Sequence, residues 1–116
     1  MADIESARTF ALSLPGTSEE PHFELTSFRV EGKIFATAPP DGSRLHVFVD
    51  DDEIAACVAE DPGAFEPLLW GKRVRGLRVR LPAARHDRVA ELLEESWRRK
   101  APRSLVTELE ARRWSS

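Results

Sequence analysis

Residues 26–49 read Thr26-Ser27-Phe28-Arg29-Val30-Glu31-Gly32-Lys33-Ile34-Phe35-Ala36-Thr37-Ala38-Pro39-Pro40-Asp41-Gly42-Ser43-Arg44-Leu45-His46-Val47-Phe48-Val49. Apolar and polar side chains alternate through Thr26 to Glu31, with Phe28 and Val30 on one side and Ser27, Arg29 and Glu31 on the other. A period of two is the mark of a half-buried strand. Glu31-Gly32-Lys33 then reads as a tight turn. Lys33 to Ala38 is a second strand, with Ile34, Ala36 and Ala38 sharing a side. Pro39-Pro40-Asp41-Gly42 is a strong turn signal, and Arg44 to Val49 is a third strand with Leu45, Val47 and Val49 inward. Three strands joined by short turns predict an antiparallel meander.

Helical patterns flank this meander. Toward the N-terminus, residues 3–14 place Ile4, Ala7, Ala11 and Leu14 at helical spacing behind the capping residue Asp3, with Phe10 beside them. Leu14-Pro15-Gly16-Thr17 stops that helix, because proline disfavours helix in the residue before it. A short strand around Pro21 to Glu24 would lie at a sheet edge, where a missing N–H is tolerated. After the meander, Asp50-Asp51-Asp52-Glu53 suits a helix N-terminus. Ile54, Cys57 and Val58 follow as its apolar stripe, and Asp61-Pro62-Gly63 ends it. Phe65 to Trp70 is apolar but contains Pro67 and is compatible with more than one state. Gly71-Lys72-Arg73 reads as a turn. Val74 to Leu81 alternates as a strand, with Leu77, Val79 and Leu81 on one face and Arg78 and Arg80 on the other, together with Val74 and Gly76. Arg85 to Arg99 is the clearest helix, through Val89, Leu92, Leu93, Ser96 and Trp97. Pro102 can open a further short helix in which Leu105 and Leu109 pack. The order α-β-β-β-α-β-α-α predicts a two-layer α+β fold, a mostly antiparallel sheet with helices packed on one face.

The 116 residues are one domain's worth. A chain of this size buries roughly two-thirds of its unfolded surface and needs no metal or disulfide to fold. The single cysteine, Cys57, excludes an internal disulfide and a multi-cysteine metal site, and points to a cytoplasmic setting. Asp3, Glu5 and Arg8 exclude a signal-peptide reading of the N-terminus. No apolar run approaches the ~20 residues of a membrane span. The net charge of −3 gives no global case for nucleic acid, but the distribution is uneven. Residues 1–66 carry 14 acidic and 4 basic side chains, whereas residues 67–116 carry 6 acidic and 13 basic. Such a split marks either a polyanion-binding face or two halves that attract each other within one fold.

The stretch Ala11-Leu12-Ser13-Leu14-Pro15-Gly16-Thr17-Ser18-Glu19-Glu20-Pro21-His22-Phe23, then Ser27-Phe28-Arg29-Val30-Glu31-Gly32-Lys33-Ile34-Phe35-Ala36, resembles the MmcQ/YjbR-like family. The tail agrees through Leu92-Leu93-Glu94-Glu95-Ser96-Trp97-Arg98 and Ala101-Pro102. The resemblance spans nearly the whole chain. Leu14 to His22 with Gly32-Lys33 are its most specific part. It implies a compact α+β fold similar to the bacterial frataxin (CyaY-like) fold, and a DNA-binding role with a "double wing" of β-hairpins as the contact surface. It brings no agreed catalytic residues, and likeness of fold does not transfer frataxin's iron binding.

The residues offer one leading constellation: Lys72, Arg73, Arg75, Arg78 and Arg80. A strand and hairpin carrying cations can lie along a phosphate backbone, with arginine giving bidentate contacts and Gly76 leaving the backbone open to close approach. The alternative is a solvated sheet face whose cations pair with the acids of the N-terminal half. Arg98, Arg99, Lys100 and Arg103 form a second basic cluster, best explained by the dipole at a helix C-terminus. Asp50 to Glu53 matches no calcium-loop spacing, so capping explains it better than a metal. Glu19, Glu20 and His22 sit together in a loop, without a second histidine at ligand spacing. His46 and His86 have no nucleophile partner, and Cys57 reads as an inert buried thiol. Trp97 belongs to the core. Trp70, beside the basic turn, is a sheet-edge cover or a stacking platform. Trp114, near the end of the sequence, carries little information. The expectation is an accessory protein without catalytic activity, cofactor or metal, monomeric or weakly dimeric, that contacts double-stranded DNA. The alternative is a protein-interaction or small-ligand-binding module.

Overall fold

A computed structural model describes residues 1–115. The elements run α1 (Ile4–Ser13), β1 (Thr17–His22), β2 (Leu25–Val30), β3 (Lys33–Ala38), β4 (Arg44–Val47), α2 (Asp51–Glu60), β5 (Phe65–Trp70), β6 (Arg73–Arg80), a 3-10 turn (Leu81–Ala83), α3 (His86–Lys100) and α4 (Arg103–Ser115). The six strands form one sheet of order β1-β2-β3-β4-β6-β5, and every neighbouring pair is antiparallel. The α+β class and the meander are as the sequence predicts.

The core follows from the alternation. Phe28, Val30, Leu45, Val47, Leu77 and Val79 are fully buried on the sheet's inner face, under Val89, Leu92, Leu93 and Trp97 of α3 and Ile54 and Cys57 of α2. The expected caps are present. Asp3 accepts from the Ser6 N–H at 2.7 Å and Asp50 from the Glu53 N–H at 2.8 Å. Each satisfies a backbone donor that the helix itself leaves unpaired.

Three local readings are corrected, and one that the sequence leaves open is resolved. Phe35, expected opposite Ala36, is fully buried, because the ladder shifts from Arg29↔Ile34 to Phe28↔Ala36 and leaves Phe35 as the extra residue of a bulge. The buried Ser96 hydroxyl of α3 serves this irregularity: it accepts from the Phe48 N–H at 3.0 Å and donates to the Phe35 carbonyl. Glu19, Glu20 and His22 lie in strand β1 rather than in a loop. Pro21 sits in that edge strand, as its missing donor requires. Phe65–Trp70 is strand β5, at the opposite edge, which is why Pro67 is tolerated there. Finally, a second bulge separates Leu68↔Gly76 from Leu69↔Val74. It turns Val74 onto the helix side, where it lines an open groove with Ile54, Ala55 and Val58 of α2, and off the arginine face.

Candidate nucleic-acid interface

Strand β6 carries four of the five predicted phosphate contacts, and the turn before it carries Lys72. The fold sorts the five into two groups. At the root of the β5–β6 hairpin, Glu66 faces Arg78 across the ladder. Its two carboxylate oxygens divide between Arg78 Nη1 at 3.2 Å and Arg80 Nη2 at 2.8 Å. Arg80 Nη1 also donates to the carbonyls of Pro62 and Gly63, at 3.4 and 3.2 Å. These two guanidiniums are held in place by a carboxylate of the acidic half of the chain. One carboxylate against two cations leaves the root positive, and β4 adds Arg44 opposite Arg80 and His46 opposite Arg78. The His46 ring touches the Thr37 hydroxyl through Nδ1 at 3.2 Å. Burial, and then the charges of Arg78 and Arg44, lower its pKa below the ordinary histidine value.

At the tip, Lys72, Arg73 and Arg75 are exposed. Among the described residues no carboxylate lies within ion-pair distance of any of them. Arg75 is the extra residue of the β6 bulge, and its guanidinium carbon lies 5.5 Å from the centre of the Trp70 ring. Trp70 is 71% exposed, and Leu69 and Val74 are exposed beside it. The turn starts at Gly71, whose φ of +61° is a conformation that other residues reach only with strain. A methyl group added there would meet nothing within 4 Å, so the turn itself faces open space.

Gly76 has a different role from the one its sequence position suggests. A Cβ there would lie 2.8 Å from the Val47 carbonyl and 3.0 Å from the Phe48 ring. The close approach it permits is made by the end of β4, so the backbone at this point is covered and not open to a ligand.

The other candidates resolve into structural roles. Arg98 pairs with Glu94 at 2.9 Å, and Arg99 donates to the Phe48 carbonyl at 2.8 Å, so half of the second basic cluster ties down the end of α3. Glu53 pairs with Arg88 at 2.6 Å. Glu19 takes Arg8 at 3.0 Å and the Thr26 hydroxyl at 2.9 Å. Burial pushes the Cys57 thiol up to about 12, which keeps it protonated and unreactive. No group of three or more histidine, cysteine or carboxylate side chains among the described residues is placed to hold a metal ion. No helix among them is long and apolar enough to cross a membrane. The sequence missed Glu66 as the root's counter-ion. The missing signal was the pairing itself: with Phe65–Trp70 unassigned, nothing placed Glu66 opposite Arg78.

No curated protein is similar enough to this chain to match it. Among solved structures, the crystal structure of the Deinococcus radiodurans protein DR2400, of the domain family DUF419, superposes with a TM-score of 0.74 at 20% identity, covering 95% of this chain and 89% of that one. That likeness is one of fold. The family model described as YjbR matches residues 12–99, well over half of the sequence, and the chain belongs to the YjbR family.

Proposed function

We propose that this protein is a non-catalytic accessory protein that binds nucleic acid through the tip of the β5–β6 hairpin, with Lys72, Arg73 and Arg75 on phosphates and the root arginines Arg78 and Arg80 as a secondary, partly neutralised flank. One observation carries the reading: three exposed cations gather at one turn and, among the described residues, no carboxylate lies within ion-pair distance of them, on a protein whose net charge is negative. An unpaired cation costs nothing to bring to a phosphate beyond its own ordering, whereas a paired one must first release its carboxylate. Duplex DNA is the first partner to test.

The triple variant Lys72→Ala/Arg73→Ala/Arg75→Ala is expected to lower duplex affinity by about 10- to 100-fold at low salt and to flatten the dependence of log affinity on log salt by about two to three. Fluorescence anisotropy over a salt series reads both quantities. Binding equal to that of the parent would refute the assignment. A second reading has one observation in its favour. A groove between α2 and the hairpin, lined by Ile54, Ala55, Val58, Ala59, Pro67 and Val74 together with the charged Asp51 and Arg73, is mostly apolar and open, as a protein or small-ligand site would be. Stabilisation on heating by a small molecule, and none by DNA, would favour it.

A further inference from the structure

The tip carries more than charge. Trp70 presents most of its indole to solvent, and Leu69 is 54% exposed next to it. Exposing an indole forgoes the large burial gain that tryptophan ordinarily makes. The other large exposed aromatics lie in different surroundings. Phe23 is in the turn of the β1–β2 hairpin next to Glu24, with its ring edge-on to His22 and no cation recorded against it among the described residues. Trp114 is exposed on helix α4, beside Arg112 and Arg113, which are engaged with Glu108 and Glu94. Among the described residues, the β5–β6 tip is where an exposed ring and unpaired cations coincide. The guanidinium of Arg75 packs on the ring and holds cation and indole as one unit.

Phosphates alone do not need a ring. In a duplex the base faces are already stacked, so an indole can meet only backbone or groove edges. An unpaired nucleotide offers a bare π-face with a phosphate on either side, which is the combination that the tip matches. Resting on the phosphate-contact reading above, we propose that the tip binds single-stranded nucleic acid, with Trp70 stacking on an unpaired base while Lys72, Arg73 and Arg75 hold the adjoining phosphates. Sequence preference is expected to be weak, because every base has a π-face.

The test measures anisotropy of full-length protein with a single strand of about 12 thymidines, the matching uridine strand and a blunt duplex of the same length, over a salt series. The parent should bind the single strands more tightly than the duplex. Trp70→Ala should weaken single-strand binding by about 5- to 100-fold, leave the salt slope unchanged and leave duplex binding nearly unchanged. Trp70→Phe should restore most of the loss. Melting temperature serves as the folding control, since Trp70 lies outside the core. Similar affinity for thymidine and uridine strands supports stacking; a strong preference for one would instead point to hydrogen-bonded base or sugar recognition and overturn it. If Trp70→Ala changes nothing while the triple cation variant weakens both ligands, stacking is wrong and the phosphate reading survives. If the parent binds neither ligand, both fail together. If Trp70→Ala abolishes a concentration-dependent dimer in sedimentation and leaves single-strand binding intact, the ring serves self-association and the proposal is overturned.

Discussion

Two hairpins close the two ends of the same sheet, and they treat charge in opposite ways. The β1–β2 hairpin is acidic, and its polar groups are largely spent on one another. Glu19 takes Arg8 and Thr26, the Ser27 hydroxyl donates to the Glu20 carbonyl at 2.7 Å, and Arg29 donates to Ser27 at 2.9 Å. The β5–β6 hairpin is basic, and it concentrates its one counter-charge, Glu66, at the root. At its tip, among the described residues, no carboxylate pairs with Lys72, Arg73 or Arg75. The lesson is that a run of like charge becomes an interface only over the part that the fold does not neutralise. Ion pairs exposed to this degree are worth ~1 kcal/mol or less, so their role here is to fix where the arginines sit more than to hold the fold together.

The hairpins also differ in how they are mounted, and the largest effect we expect tests this. β6 runs antiparallel beside β4, and Gly76, just past the Val47↔Leu77 pair, abuts the Val47 carbonyl. Gly76→Ala should lower the stability of the folded protein by about 1–3 kcal/mol, because the Val47 carbonyl has little room to move and the new methyl must push one strand from the other. Denaturant unfolding followed by circular dichroism measures it. A neutral result would mean that the hairpin rides loosely on β4, and the contrast between a fixed root and an exposed tip would fail.

The β1–β2 tip gives a smaller effect of opposite sign. Phe23 holds φ at +57° while 93% exposed, and its described ring contact is an edge-on one with His22 at 4.8 Å between centroids. A left-handed backbone costs a non-glycine residue about 1–2 kcal/mol, and glycine gives back part of that gain through the freedom it adds to the unfolded chain. Phe23→Gly should therefore stabilise the protein by up to about 1 kcal/mol in the same unfolding experiment, with nucleic-acid affinity unchanged. Destabilisation would show that the ring packs more firmly than its exposure implies.

Much of this arrangement was legible in the sequence, and the limits have a physical pattern. Period-two runs such as Arg44 to Val47 and period-3.6 runs such as Val89 to Trp97 fix which face is buried, because burial and alternation are the same signal. That signal fails where one residue is inserted. Phe35 and Arg75 each sit at a bulge, and past each bulge the inferred face is reversed, so Val74 was assigned to the wrong side. The five basic residues of the candidate site were all visible in the sequence. Their division was not, since it depends on which residue stands opposite them in a strand obscured by Pro67. Gly76 was read as an opening for a ligand because a glycine in a strand records only that something comes close, and not what it is.

The smallest effect bears most directly on the division within β6. Glu66→Gln keeps the size and the hydrogen-bonding oxygen of the side chain but removes its charge. Arg78 and Arg80 stay near their places, with Arg80 still held by the Pro62 and Gly63 carbonyls. The root then gains one unit of net positive charge beside Arg44 and becomes a second place for phosphate to contact. Duplex affinity should rise about two- to five-fold at low salt and the salt slope should steepen by about one. The modest size follows from the modest strength of the exposed pairs that are lost. Combining Glu66→Gln with the triple tip substitution distinguishes the two parts. If the root acts only as a flank, the quadruple variant stays weak. If it binds as well as the parent, root and tip are equivalent, and the difference between the two halves of the strand is one of occupancy by Glu66 alone.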